Sequence, residues 1–287
     1  MFDKSFAEMV ALSRRENAKA EGDYVGEDGF LYCGECHTRK ETSVMIKGKD
    51  GEDIEFRPYV PCKCRKEKID ALATEEAEKK QAELVTRLRA NSCIPDLYAE
   101  ATFDSFRTRG DNGNILHMIR RYVDKFDQMF EKAAGLLFHG TVGTGKTYAA
   151  ACVGNELIAK GRSVYMTSTC TMLKLRDDDA EDYYLNRIVR PSILIVDDIG
   201  AERSTDFGRE RVFGYIDARM NAKKPMVITT NLPFERMLKP ETVEESRIYD
   251  RMLKRCFPVV FAGETWRRTE AKENFNEMKS ILEGDDY

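Results

Sequence analysis

A chain of 287 residues has room for one good-sized domain and something smaller. A third of it is charged and its 50 acids slightly outnumber its 46 lysines and arginines, so bulk composition does not mark a nucleic-acid protein and any such contact must come from local patches. No apolar run approaches the roughly 20 residues of a membrane span, and the opening "MFDKSFAEMVALSRRENAK" lacks the apolar core of a secretory signal; both predict a cytoplasmic protein with no membrane partner.

In chain order, residues 1–27 read as a short amphipathic helical segment that docks on a partner. Residues 28–65 carry two tight cysteine pairs, Cys33/Cys36 in "YCGEC" and Cys62/Cys64 in "PCKC". A reducing compartment disfavours disulfides, so the pairs point to metal. The stretch between them reads as two alternating strands around a turn at Asp50-Gly51, which sets two chelating loops on one hairpin. Four thiolates match tetrahedral zinc (Zn2+) at about 2.3 Å per sulfur. An iron–sulfur cluster and four unrelated buried cysteines are the alternatives, and His37 is a substitute ligand beside Cys36. So small a segment depends on its metal to fold. The basic run at 63–68 tilts its surface slightly towards DNA rather than protein. The remaining cysteines, Cys93, Cys152, Cys170 and Cys256, read as small core residues.

From Arg65 to Asn91 there is no Gly or Pro and much Ala, Glu, Lys and Leu, which predicts a linking helix over 66–91. Pro95 punctuates it. Residues 92–287 then alternate apolar strands with amphipathic helices, an α/β pattern with strands predicted at 135–139, 163–167, 192–197, 225–230 and 257–261.

The first of those strands runs into "GTVGTGKT", Gly140, Thr141, Val142, Gly143, Thr144, Gly145, Lys146 and Thr147, a complete G-x-x-x-x-G-K-[ST]. The glycines let successive N–H groups turn inward at phosphate oxygens, and the helix that follows adds its positive end. Lys146 is expected to reach the β- and γ-phosphates of ATP, and Thr147 to ligate Mg2+. "SILIVDD" is an apolar strand ending in two carboxylates. Asp197 is expected to hold Mg2+, directly or through water, and Asp198 to polarise the attacking water. "MVITTN" ends in Asn231, placed to orient that water. Further on, "EESRIYDRMLKR" sets Arg247 and Arg251 four apart on one helix face, and "GETWRR" supplies Arg267. An arginine from a neighbouring subunit can meet the charge that develops on a triphosphate.

Taken in this order, "GTVGTGKT", "LIVDDIGAER", "KKPMVITTNL", "SRIYDRM" and "GETWR" resemble the AAA+ helicase loaders of bacteria and their phages, the DnaC/DnaI family, with the transposition helper ATPases of the IstB type as close cousins. The resemblance covers roughly residues 87 to 270. It implies an AAA+ P-loop fold, a parallel sheet with flanking helices and a reduced lid. It also implies that Gly140–Thr147 is Walker A, Asp197–Asp198 Walker B, Asn231 sensor 1, Arg251 the arginine finger in preference to Arg247, and Arg267 sensor 2. The cysteine module is similar to the zinc-binding N-terminal domain with which some of these loaders engage the hexameric replicative helicase. The family's helical insertion towards single-stranded DNA falls here at Thr171 to Arg190. That segment departs from a basic surface through its acidic run from Asp177 to Asp182, flanked by Lys174, Arg176, Arg187 and Arg190. Asp198 stands where most AAA+ enzymes have Glu, one methylene or about 1.5 Å shorter, which implies slow hydrolysis. About twenty residues follow Arg267, too few for a full lid, which implies that nucleotide is gripped between self-associated subunits.

The sequence thus points to an ATP-dependent loader of a hexameric replicative helicase onto single-stranded DNA. A transposase helper acting on duplex DNA and a nucleotide-gated adaptor with little hydrolysis are its rivals.

Overall fold

The computed structural model describes residues 19–47, 51–106, 112–173, 178–200, 206–263 and 265–283. By its internal contacts the chain divides into two units, Met1–Gln81 and Ala82–Tyr287.

The smaller unit has almost no apolar interior. Its buried apolar residues, among those described, are Leu31, Cys33 and Cys62. Strand β1 (Tyr24–Val25) pairs antiparallel with β2 (Leu31–Tyr32), and β3 (Val44–Lys47) with β4 (Asp53–Phe56), Lys47 facing Asp53. The β3–β4 pair is the hairpin predicted between the cysteine pairs; Asp50 lies outside the described residues. Tyr24–Val25 falls in the segment read as helical, because these residues find ladder partners at 31–32 that periodicity alone does not reveal. Residues 1–18 of that predicted helix lie outside the described residues. Helix α1 (Lys63–Ser92) starts three residues before the predicted span of 66–91. Its first free N–H, on Lys63, is capped by the Thr38 hydroxyl at 3.0 Å, a donor–acceptor pair 25 residues apart.

In the larger unit, α2 (Asn112–Asp124) and α3 (Phe126–Glu131) precede β5 (Gly135–Gly140). There follow α4 (Lys146–Ala159), β6 (Val164–Ser168), α5 (Thr169–Leu173), α6 (Asp178–Val189) and β7 (Ile193–Ile199). Next come α7 (Asp206–Asn221), β8 (Met226–Thr230), α8 (Phe234–Leu238), α9 (Val243–Arg255), β9 (Cys256–Phe261) and α10 (Trp266–Glu283). Five strands form one parallel sheet in the order β6-β7-β8-β5-β9. All five predicted strands are present, within a residue or two at their ends. Parallel strands are covered on both faces, which is why they read as unbroken apolar runs. Alternate residues feed two cores. Leu136, Phe138, Ile193, Ile195 and Val227 pack with α2, α3 and α4, while Leu137, Leu194, Val196, Met226 and Ile228 pack with α5, α6, α7 and α9. Among the described residues no helix is long and apolar enough to cross a membrane.

Strand β5 is an interior strand, with β8 on one side and the edge strand β9 on the other, yet the chain leaves it to enter β6 at the far edge. Such a switch point opens a crevice at the carboxyl ends of the strands. The loop after β5 sits there.

Candidate nucleotide site and cysteine cluster

The turn between β5 and α4 is built from glycines because its backbone needs positive φ: 134° at Gly140, 78° at Gly143 and 93° at Gly145. Gly145 is the N-cap of α4 in the left-handed region, so the loop ends with the helix N-terminus facing the crevice. At Gly143 a Cβ would stand 2.0 Å from the Thr265 hydroxyl, so the segment leading into α10 passes against the loop. Lys146 is buried, and its ammonium donates to the Gly140 carbonyl at 2.9 Å and the Thr141 carbonyl at 2.7 Å. Thr144, also buried, donates its hydroxyl to the same Thr141 carbonyl, and Val142 is exposed at the rim.

The acids arrive from β7 through a bulge. Val196 pairs with Ile228 and Ile199 with Thr230, so Asp197 and Asp198 together stand opposite one residue, Thr229. In a regular strand the two side chains would point to opposite faces. Asp198 instead takes φ 59°, a region Asp tolerates better than most residues, and both acids line the same cavity. Thr229, which the sequence reading passed over in favour of its neighbour Asn231, holds the bulge. Its hydroxyl accepts from the Asp198 N–H at 2.9 Å and donates to Asp197 Oδ1 at 2.6 Å. The Thr147 hydroxyl donates to the same Oδ1 at 2.9 Å. Asn231 Nδ2 donates to Asp198 Oδ1 at 2.7 Å.

These groups line a cavity of about 680 Å³ that includes Gly143, Gly145, Lys146, Thr147, Asp197, Asp198 and Asn231. Its opposite wall is aromatic and was not foreseen: Tyr98, Phe106 and Tyr148 with Ser105. Asn155, buried in α4, fixes that wall by donating to the carbonyls of Tyr98 and Ala101, both at 2.9 Å. Ser105 and Tyr148 join hydroxyls at 2.7 Å. The cavity's size and its pairing of a polar, glycine-lined end with an aromatic one suit a nucleotide. Two neighbouring ligands of octahedral Mg2+ at about 2.1 Å stand about 3.0 Å apart, which is the spacing of the Thr147 and Asp197 oxygens.

His139, at the end of β5, stacks on Phe234 with ring centroids 5.1 Å apart. Burial pulls its imidazole below the ordinary histidine range, with the Lys146 charge acting the same way and Glu235 opposing. Arg251 does not line this cavity. Arg251 lies on α9, its Nε donating to Asp217 Oδ1 at 2.6 Å; Arg267 starts α10, and its side chain lies outside the described residues. In the insertion, Lys174, Arg176 and Asp177 lie outside the described residues. Arg187 faces inward, over the Tyr165 ring and donating to Cys93 Sγ and the Asn91 carbonyl.

In the smaller unit the sulfurs of Cys33, Cys36, Cys62 and Cys64 all lie within 4.8 Å of one another, with Cys33–Cys64 at 3.6 Å and Cys62–Cys64 at 3.4 Å. These separations exceed a disulfide, about 2.05 Å, and approach the roughly 3.8 Å between sulfurs of a tetrahedron with 2.3 Å arms. The Cys36 thiol is pulled down to about 5, first by the Thr38 hydroxyl and then by the Cys64 backbone N–H, while hydrogen bonding to Cys62 pushes Cys64 up. Four sulfurs this close cannot all carry charge without a cation among them, and the donor set fits zinc. His37 is not part of the cluster: its Nδ1 meets the Tyr24 hydroxyl at 3.2 Å. The first knuckle needs Gly34, where a Cβ would lie 2.2 Å from the Gly22 carbonyl oxygen.

The sequence profile of the family described as "IstB-like ATP binding protein" matches residues 64–274. The "Replicative helicase loader DnaC" of Escherichia coli (strain K12) is 29% identical over 191 residues, covering 63% of this chain and 76% of that protein. Among solved structures, a DnaC helicase loader superimposes with a TM-score of 0.52 at 25% identity, over 58% of this chain and all of that one. DnaI does so with the same TM-score at 24% identity, over 60% of this chain and 96% of its own, a likeness of fold.

Proposed function

The chain belongs to the family of IstB-like ATP binding proteins, and on that footing we propose that it binds ATP with Mg2+ and uses its hydrolysis as a switch to place a hexameric replicative helicase on single-stranded DNA. The observation that carries this reading is the lattice of Thr147, Asp197 and Thr229 beneath the phosphate loop, in a chain 29% identical over 191 residues to a protein named replicative helicase loader. Bound in the cavity, the triphosphate would meet Lys146 and the loop N–H groups of residues 140–147. Mg2+ would sit between Thr147 and Asp197 and neutralise charge on the phosphates. Asp198, steered by Asn231, accepts the proton of the attacking water. Arg251 completes the site of a neighbouring copy, and Arg267 reaches the nucleotide of its own copy. The cysteine module, folded on zinc, grips the helicase, and the protein acts in the cytoplasm.

The test is ATP turnover by the purified chain, alone and with single-stranded or duplex DNA, against Lys146→Ala and Arg251→Ala. Stimulation by single strands, lost in both variants, is the expected result, followed by co-purification with the cognate helicase in at least one nucleotide state. Failure to co-purify in both states would sink the loader reading. The family's IstB profile favours a second reading, a transposition helper, for which duplex DNA alone would stimulate. The bond from Asn231 to the short Asp198 carboxylate favours a third, an adaptor that binds ATP with little turnover. In that case Asp198→Asn would leave partner binding and release unchanged; in a loader it traps the bound complex.

A further inference from the structure

Helices α7 and α9 pack together through Val212 and Ile216 on one side and Ile248, Tyr249 and Met252 on the other. At the edge of this contact, Phe213, Asp217 and Asn221 follow one another at four-residue spacing, on one face of α7. Arg251 lies across them. Its guanidinium carbon stands 4.4 Å from the centre of the Phe213 ring, and its Nε donates to Asp217 Oδ1 at 2.6 Å. Asp217 is itself held, its Oδ2 accepting from Asn221 Nδ2 at 2.9 Å. Nη1 reaches the Arg247 carbonyl at 3.4 Å, and Nη2 has no partner among the described residues.

An aromatic plate fixes the plane of the guanidinium, and a carboxylate on the Nε edge fixes its rotation. What remains free is the outer edge, the fork that matches two oxygens of a phosphate. The side chains of Arg251 and Asp217 are each 32% exposed. An ion pair that open to solvent adds little to stability, too little to explain so complete a clamp. Orientation is a better account: a long arginine side chain has much rotamer freedom to lose on ordering, and here most of it is lost before any phosphate arrives. Arg247, one turn earlier, is exposed, and among the described residues its side chain has no such support.

We propose that Asp217 and Phe213 are positioning residues that aim the Arg251 fork at the triphosphate held by a neighbouring copy of this chain. The proposal rests on the reading of Arg251 as the arginine given in trans. It places Asp217 outside its own subunit's nucleotide site and inside its neighbour's.

Mixing subunits tests it. Asp217→Ala and Phe213→Leu should each lower kcat for ATP roughly ten- to a hundredfold, with KM and nucleotide binding by the variant itself unchanged. An equal mixture of Asp217→Ala with Lys146→Ala, each nearly silent alone, should regain activity, because about one contact in four joins an intact phosphate loop to an intact clamp. The mixture of Arg251→Ala with Lys146→Ala is the control. If the control recovers and the Asp217→Ala mixture does not, or if Asp217→Ala loses its own nucleotide binding, Asp217 serves its own subunit and the proposal is overturned. Wild-type turnover by both Asp217→Ala and Phe213→Leu overturns it as well. A silent control removes the trans arginine, and the proposal with it.

Discussion

Thr229 shows how much of a site can hang on one hydroxyl. It is buried, it faces both acids across the bulge, and it serves each of them by a different atom, its oxygen for the Asp198 N–H and its proton for Asp197. Thr229→Val keeps the shape and removes both bonds. We expect it to cost about 1–3 kcal/mol of stability, because an N–H is left without a partner. We also expect the Mg2+ concentration for half-maximal ATP turnover to rise roughly tenfold, because the proposed metal ligand Asp197 has lost its orienting partner. A magnesium titration beside an unfolding curve checks both. His139 shifts in the same direction as the carboxylates Asp23, Asp28, Glu55 and Asp124, downward. Its folded value lies below its unfolded one, so the stability it contributes is present above the unfolded value of about 6.5 and is lost as pH falls through the folded one. Between about pH 7.5 and about pH 5.5 the wild-type Tm should therefore fall further than that of His139→Phe, which keeps a ring against Phe234 and cannot be protonated. Equal slopes in the two proteins would place the acid sensitivity elsewhere.

At the scale of elements, the junction of α6, β7 and β8 is tied by a single buried cation. Arg219 of α7 is fully buried and donates to five backbone carbonyls, those of Ile188, Val189, Pro191, Ser192 and Pro225. Two of these end α6, where carbonyls have no partner within the helix. Burial pulls the guanidinium down to about 9, so it stays charged at neutral pH. Arg219→Met should cost about 3–5 kcal/mol, since it leaves several buried acceptors unmet. Urea unfolding followed by tyrosine fluorescence measures it, and a loss under 1 kcal/mol would mean that water replaces the cation. No local pattern announces this residue: in sequence Arg219 is one more charge near the end of a helix, and its five acceptors lie 6 to 31 positions away. The bulge at Asp197–Asp198 is hidden for the same reason. "SILIVDD" marks where the carboxylates come, and pairing with β8 decides that both face one cavity.

The two units stand on different physics. The larger unit buries two cores; among the described residues the small unit buries little that is apolar besides Leu31 and its own cysteines, and a metal held by the four sulfurs, as proposed, would supply what a core does not. A strong chelator should therefore unfold the small unit and leave nucleotide binding by the other intact. Cys93 and Cys170 are exposed and Cys152 and Cys256 buried, so thiols that react rapidly should rise from two to six on chelation while ATP affinity holds. A simultaneous loss of ATP binding would tie the units into one cooperative fold. The five strands of the large sheet, the phosphate loop, the paired acids and the paired cysteines were legible in the sequence, because each depends on residues close together in the chain: apolar runs for buried strands, glycines for positive φ, closely spaced thiols that suit a metal. What only the tertiary structure decided is everything set by distant partners. Thr229 under both acids, the aromatic wall held by Asn155, Arg219 at its five carbonyls and Arg251 clamped by Phe213 and Asp217 are contacts across the fold, and side-chain chemistry alone does not say which of many similar residues the chain will bring together.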